Sequence, residues 1–101
     1  MSEHRPSINE IKKKAAPIAK KYGVARMYLF GSYARGDATA SSDLDFRIDK
    51  GRVSGFAIGG LYGDLEEAFG KSIDLATTKS LPPNILAEIA GEEVLIYGKK
   101  E

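Results

Sequence analysis

Apolar residues recur at Ile8, Ile11, Ala15, Ile18, Ala19 and Tyr22, the three-and-four spacing of one helical face. Lysines at 12–14 and 20–21 fill its solvated side. Ser7-Ile8-Asn9-Glu10 ahead of the stripe reads as a capping box, and Gly23 supplies the stop. Pro17 lacks an amide hydrogen and crowds the preceding turn, so a kink or a new start is expected near Ala16. The period then changes. Residues 25–30 read as a short strand, residues 33–35 as the start of a short helix, and residues 36–42 as polar loop. In residues 43–48, Asp43, Asp45 and Arg47 alternate with Leu44, Phe46 and Ile48, the two faces of a second strand. Lys50-Gly51-Arg52 is a turn. Ile58, Leu61, Tyr62, Leu65, Ala68 and Phe69 restore the helical stripe, weakened by Gly59, Gly60 and Gly63 and stopped by Gly70. A third strand over residues 72–77 carries Asp74, with Ile73 and Leu75 on its other face. Pro82-Pro83 opens a short helix through Ile89, Gly91 closes it, and residues 94–97 are a last extended segment. This order predicts an α+β fold, an α/β sandwich with a small mixed sheet, as one domain over residues 1–101 with neither repeat nor linker.

Composition narrows the setting. With no cysteine, disulfides and thiolate metal sites are excluded, and a reducing cytoplasm is the expected location. The one histidine, His4, has no second histidine to form a zinc pair and reads as a mobile terminal residue. No apolar run approaches the ~20 residues that span a bilayer, and the N-terminus lacks the apolar segment of a signal peptide. Fifteen basic residues against fourteen acidic ones give a formal charge of +1, without the excess expected of a backbone-reading nucleic-acid binder. A small basic patch still suits an acidic protein.

The chemistry lies between the first and second strands. Gly31-Ser32 is a turn of small residues, which lets backbone N–H groups and a hydroxyl approach an anion such as a phosphate. Ten residues later come Asp43 and Asp45, which project side by side on one face of the second strand. Paired hard oxygen ligands beside a phosphate-binding turn suit Mg²⁺ and a nucleoside triphosphate, hence phosphoryl or nucleotidyl transfer. Arg35 can add a charge-assisted bond to the triphosphate or pair with Asp37 or Asp43. Arg47 shares the aspartate face and can pair with those carboxylates or touch phosphate. Asp37 and Asp49 read as loop and turn residues, and Tyr33, Tyr62 and Tyr97 as packing residues able to stack on a base.

Phe30-Gly31-Ser32-Tyr33-Ala34-Arg35-Gly36-Asp37, the ten-residue interval, Asp43-Leu44-Asp45 and the later Asp74 together resemble the signature of the minimal nucleotidyltransferase (MNT) family of the DNA polymerase β-like superfamily. The resemblance extends from the first helix to Val94-Leu95-Ile96-Tyr97 and implies a nucleotidyltransferase fold. It implies that Asp43, Asp45 and Asp74 bind Mg²⁺, with Asp74 holding the catalytic metal or taking the proton of an acceptor hydroxyl. Gly31, Ser32 and Arg35 then hold the ATP phosphates. Larger members often add a helical domain that holds the acceptor. Its absence from this sequence leaves that site to another polypeptide or another copy, in a homo- or hetero-oligomer. Small MNT proteins of prokaryotes are commonly paired with a HEPN-domain RNase toxin and silence it by transferring AMP from ATP to a tyrosine. The resemblance therefore implies a protein adenylyltransferase acting as antitoxin. Two alternatives stand beside it: transfer to a small hydroxyl compound such as an aminoglycoside, and a non-catalytic antitoxin that acts by binding.

Overall fold

A computed structural model describes residues 5–99; His4 lies outside them. Helix α1 spans Ile8–Tyr22 and begins on the capping box: Ser7 Oγ accepts the Glu10 amide at 3.1 Å, while Glu10 Oε1 accepts the Ser7 amide at 3.3 Å. Gly23 closes it in the left-handed conformation. The helix continues through Pro17, so the expected new start does not occur. Pro17 is exposed, and Lys13, whose carbonyl loses the i+4 donor, is exposed as well. Water can satisfy that carbonyl, which lowers the cost of the proline.

Strand β1 (Arg26–Phe30) runs into the short helix α2 (Ser32–Arg35). Strand β2 covers Leu44–Asp49, one residue later than expected, so Asp43 stands ahead of the strand. Helix α3 (Gly55–Phe69) starts on Ser54, whose hydroxyl accepts the Ala57 amide at 3.0 Å. Strand β3 (Ile73–Thr77) is followed by a 3₁₀ turn over Thr78–Ser80 that no sequence signal marked. Helix α4 (Pro83–Ala90) and strand β4 (Val94–Tyr97) complete the described elements.

The sheet order is β3-β2-β1-β4. β1 pairs antiparallel with both β2 and β4, while β2 and β3 are parallel, a pairing that needs the crossover α3 provides. One sheet face is apolar: Met27, Leu29, Leu44, Phe46 and Ile48 are fully or almost fully buried with Ile11, Ala15 and Ala19 of α1 and Leu61 and Leu65 of α3. The two helices are tied to each other where Tyr22 Oη and Lys21 Nζ both donate to Asp64 Oδ2 at 2.9 Å. Every second strand residue faces the other way, and that row includes Asp45, Arg47 and Asp49.

Arg47, left between pairing with carboxylates and touching phosphate, is 9% exposed and engaged with structural partners. Its guanidinium donates in bidentate fashion to Glu93 (3.0 and 2.7 Å), donates to Thr78 Oγ1 (2.7 Å), and lies 4.1 Å from the centre of the Tyr28 ring. Arg47 thereby fastens the 3₁₀ turn and the α4–β4 turn onto the sheet. Asp49 is likewise a strand residue instead of a turn residue, bonded to Arg26 at 2.6 Å and to Thr78 at 2.5 Å. Burial raises its pKa, but the bonds from Thr78 and Arg26 and the charge of Arg47 outweigh this and hold the carboxyl below its ordinary range.

Candidate active site

Strand register assembles the site. Phe30, last in β1, is opposite Asp45, and Asp45 is opposite Asp74 across the parallel pair. The turn that follows Phe30 is thus brought beside both carboxylates. Gly31 has φ +78° and ψ −156°, and a Cβ there would overlap Asp45 Oδ2. Glycine is required twice, by the backbone conformation and by the contact with the carboxylate. Ser32 then opens α2, and Tyr33 is 7% exposed within the core, which removes it from the base-stacking residues.

Asp45 is half-buried, whereas Asp43 and Asp74 are exposed. Its pKa is pushed up to about 6, first by burial, then by the negative charges of Asp74 and Asp43 and by sharing a hydrogen bond with Asp74. All three aspartates therefore act within one electrostatic neighbourhood. Among the described residues no three carboxylate, imidazole or thiolate groups form a ready cage for a metal ion. That does not count against Mg²⁺, which is usually held by one or two carboxylates together with substrate phosphates and water. Crowding three hard anionic donors raises the energy of the ionised set, and a divalent cation relieves it. The donor chemistry fits.

Asp43 is presented by a polar loop folded on itself: Ser42 Oγ accepts the Thr39 amide at 2.8 Å, and Lys71 Nζ donates to the Ala40 carbonyl at 2.9 Å. Across the cleft, Tyr62 of α3 is 38% exposed. Its hydroxyl titrates above the ordinary phenol range, chiefly because of Glu66, then burial, with Asp74 and Asp43 adding to the effect. Tyr97, by contrast, is partly buried against the core.

Arg35 lies at the edge of the turn and pairs with Asp37 (3.3 Å) and Glu92 (3.2 Å). Glu92, from the α4–β4 turn, also accepts the Gly31 amide through Oε2 at 3.0 Å. No local pattern pointed to Glu92; it is one of two adjacent glutamates after Gly91, 61 residues from Gly31. The glycine-serine turn thus stands against Asp45 and Asp74 on neighbouring strands of the mixed sheet, an arrangement suited to nucleotide transfer.

Comparison with known proteins gives the family. Residues 13–101 match the family described as "Polymerase beta, Nucleotidyltransferase", and the chain belongs to it. It is 39% identical over 89 residues to MJ0435 of Methanocaldococcus jannaschii, provisionally named a protein adenylyltransferase, with 87% of this chain and 96% of that protein covered. It is 31% identical over 80 residues to protein adenylyltransferase MntA of Thermococcus cleftensis, covering 78% and 81%. Among solved structures, a toxin–antitoxin with AMP-PNP shares the fold at a TM-score of 0.76 and 21% identity, over 88% of this chain and 74% of that one. A tri-AMPylated Shewanella oneidensis HEPN toxin in complex with an MNT antitoxin shares it at a TM-score of 0.69 and 18% identity, over 91% and 73%. The α+β nucleotidyltransferase fold expected from the sequence is the observed one.

Proposed function

We propose that the chain is a Mg²⁺-dependent protein adenylyltransferase that moves AMP from ATP to a tyrosine hydroxyl of a HEPN-type RNase toxin in the cytoplasm and so acts as its antitoxin. The observation that carries this reading is the register Phe30–Asp45–Asp74, which sets the Gly31-Ser32 turn beside a carboxylate pair at one end of the sheet. Two relatives named protein adenylyltransferases support the reaction class, and structural likeness to chains of toxin–antitoxin complexes supports the partner. An open cleft supports a protein acceptor over a small enclosed one: Asp74 lies exposed on β3, the edge strand. No helix among the described residues is long and apolar enough to cross a membrane.

In this reading Asp43, Asp45 and Asp74 hold Mg²⁺, which when bound neutralises charge on the triphosphate and the departing pyrophosphate. The Ser32 hydroxyl and the amides of the Gly31 turn hold the terminal phosphates, and Arg35 can turn from its carboxylate partners to the same anion. Asp74, exposed beside Asp45, accepts the proton of the acceptor hydroxyl. The acceptor oxygen bonds to the α-phosphorus, the bond from that phosphorus to the bridging oxygen breaks, and pyrophosphate leaves.

The test is Asp74→Asn, co-expressed with the partner toxin and examined by intact-mass analysis. If Asp74 acts mainly on the acceptor proton, with Asp43 and Asp45 still holding Mg²⁺, the variant is expected to bind Mg²⁺ and ATP nearly normally and to lose transfer by at least about 10²-fold, the usual cost of a removed general base. The partner should then carry no added AMP and remain toxic. Protection without added AMP mass would replace transfer by simple binding.

A further inference from the structure

Glu92 reaches the phosphate-binding turn from a distant part of the chain and bonds to two of its groups. Its Oε2 accepts the Gly31 amide at 3.0 Å and Arg35 Nη1 at 3.2 Å, while Oε1 stands 3.4 Å from the same guanidinium nitrogen. A backbone amide and a guanidinium converging on paired oxygens are the donors a phosphate group recruits. The carboxylate is also held in place from behind. Glu93, next in sequence, is clamped by Arg47, and both the Glu92 and Glu93 amides donate to the Ile89 carbonyl at 3.0 Å. Glu92 is thus offered to the turn by a rigid corner. Phe30, Gly31, Arg35, Glu88, Ile89 and Glu92 line a cavity of about 290 Å³ there, enough for an incoming anion to displace the side chain.

We propose that Glu92 is an internal stand-in for a triphosphate oxygen, occupying its seat on Gly31 and Arg35 until nucleotide displaces it. This rests on the reading of that turn as the triphosphate site. An attached carboxylate competes at high effective concentration, so the seat opens only to an anion of greater charge density that arrives with its cation. Glu92 then acts on specificity. Triphosphates must overcome it, while a monophosphate that does not reach the seat is indifferent to it.

Glu92→Gln keeps the size and one acceptor oxygen but removes the charge that holds Arg35. Binding of Mg·ATP, Mg·tripolyphosphate and AMP is measured by calorimetry on wild type, Glu92→Gln and Glu88→Gln, the last changing a charge in the same cavity. The expected result is tighter binding of both triphosphates to Glu92→Gln by about 3- to 10-fold, as for a seat that is closed most of the time. AMP binding should not change, and Glu88→Gln should stay within about twofold of wild type. A second readout needs no substitution: in the wild type, the Gly31 amide and Glu92 carboxylate NMR signals should move together on titration with Mg·tripolyphosphate. Unchanged or weaker triphosphate binding by Glu92→Gln would mean that Glu92 only braces the turn. An equal gain in Glu88→Gln, tighter AMP binding, or a Glu92 signal that stays fixed would overturn the proposal too. In each of those cases the triphosphate site itself stands. Absence of Mg·ATP binding in every protein, wild type included, would overturn both.

Discussion

Asp45 carries more of the site's electrostatic cost than any other residue described. Its folded-state pKa of about 6 lies above the ordinary carboxylate value, through burial and the charges of Asp74 and Asp43. Between roughly pH 4 and pH 6 Asp45 therefore holds more proton in the folded state than in the unfolded one. Its contribution to stability without metal accordingly falls as pH rises through that window and levels off above it, opposite in sign to that of the lowered Asp49 and Asp64. Asp45→Asn should remove that part of the slope and, after allowance for solvent screening, raise stability at pH 7 in EDTA by about 1 kcal/mol, while abolishing transfer. Urea unfolding from pH 4 to pH 8 checks the first expectation, and a wild-type slope in the variant would defeat it. Gly31→Ala should do the reverse: the overlap with Asp45 Oδ2 and the strained φ should cost about 1–3 kcal/mol and disable the site. A variant with wild-type melting and transfer would show that the turn tolerates a side chain.

Two elements take different loads. The α4–β4 turn depends on Arg47, whose side chain is 11% exposed against 14% for Glu93. Removing one partner leaves a shielded charge unpaired, so Arg47→Ala should cost about 3 kcal/mol, with Lys a poor replacement for a bidentate, ring-stacked guanidinium. Denaturant midpoints for Ala and Lys variants test this; a loss under about 1 kcal/mol for Ala would refute it. Helix α3 has stability to gain. A Cβ at Gly63 would meet nothing within 4 Å, so Gly63→Ala should stabilise the protein by about 0.5–1 kcal/mol through helix propensity alone. Gly60 is different, because a Cβ there would press on the Tyr22 hydroxyl at 2.9 Å and disturb its bond to Asp64. Thermal melts of the two alanine variants should therefore move apart.

At the scale of the whole molecule, folding and ligand binding are linked through the crowded carboxylates. Mg·ATP at 100 times its Kd should stabilise the fold by about 2.7 kcal/mol, an effect lost in EDTA and absent in Asp45→Asn. Thermal shift with AMP-PNP measures it without turnover, and equal shifts with and without Mg²⁺ would separate nucleotide binding from the aspartates.

Periodicity and capping chemistry act between residues a few positions apart, so the sequence by itself determined the helices, the strands and the order of the signature residues. The capping box on Ser7, the left-handed stops at Gly23 and Gly70, and the alternation around Asp45 all appear as read. The new start offered at Pro17 does not occur, because its cost depends on whether the carbonyl one turn back meets solvent, which burial decides. The role of Arg47 stayed open because strand alternation gives a side chain's face but not what covers it. Its partner Glu93 is 46 residues away. The strand register that sets Asp74 beside Asp45, the closeness of Gly31 to Asp45, and the arrival of Glu92 at the turn were decided only by tertiary structure. Each joins segments that no local pattern relates: strand pairing sets the first two, and the Arg47–Glu93 clamp on the polar face holds the corner that carries Glu92.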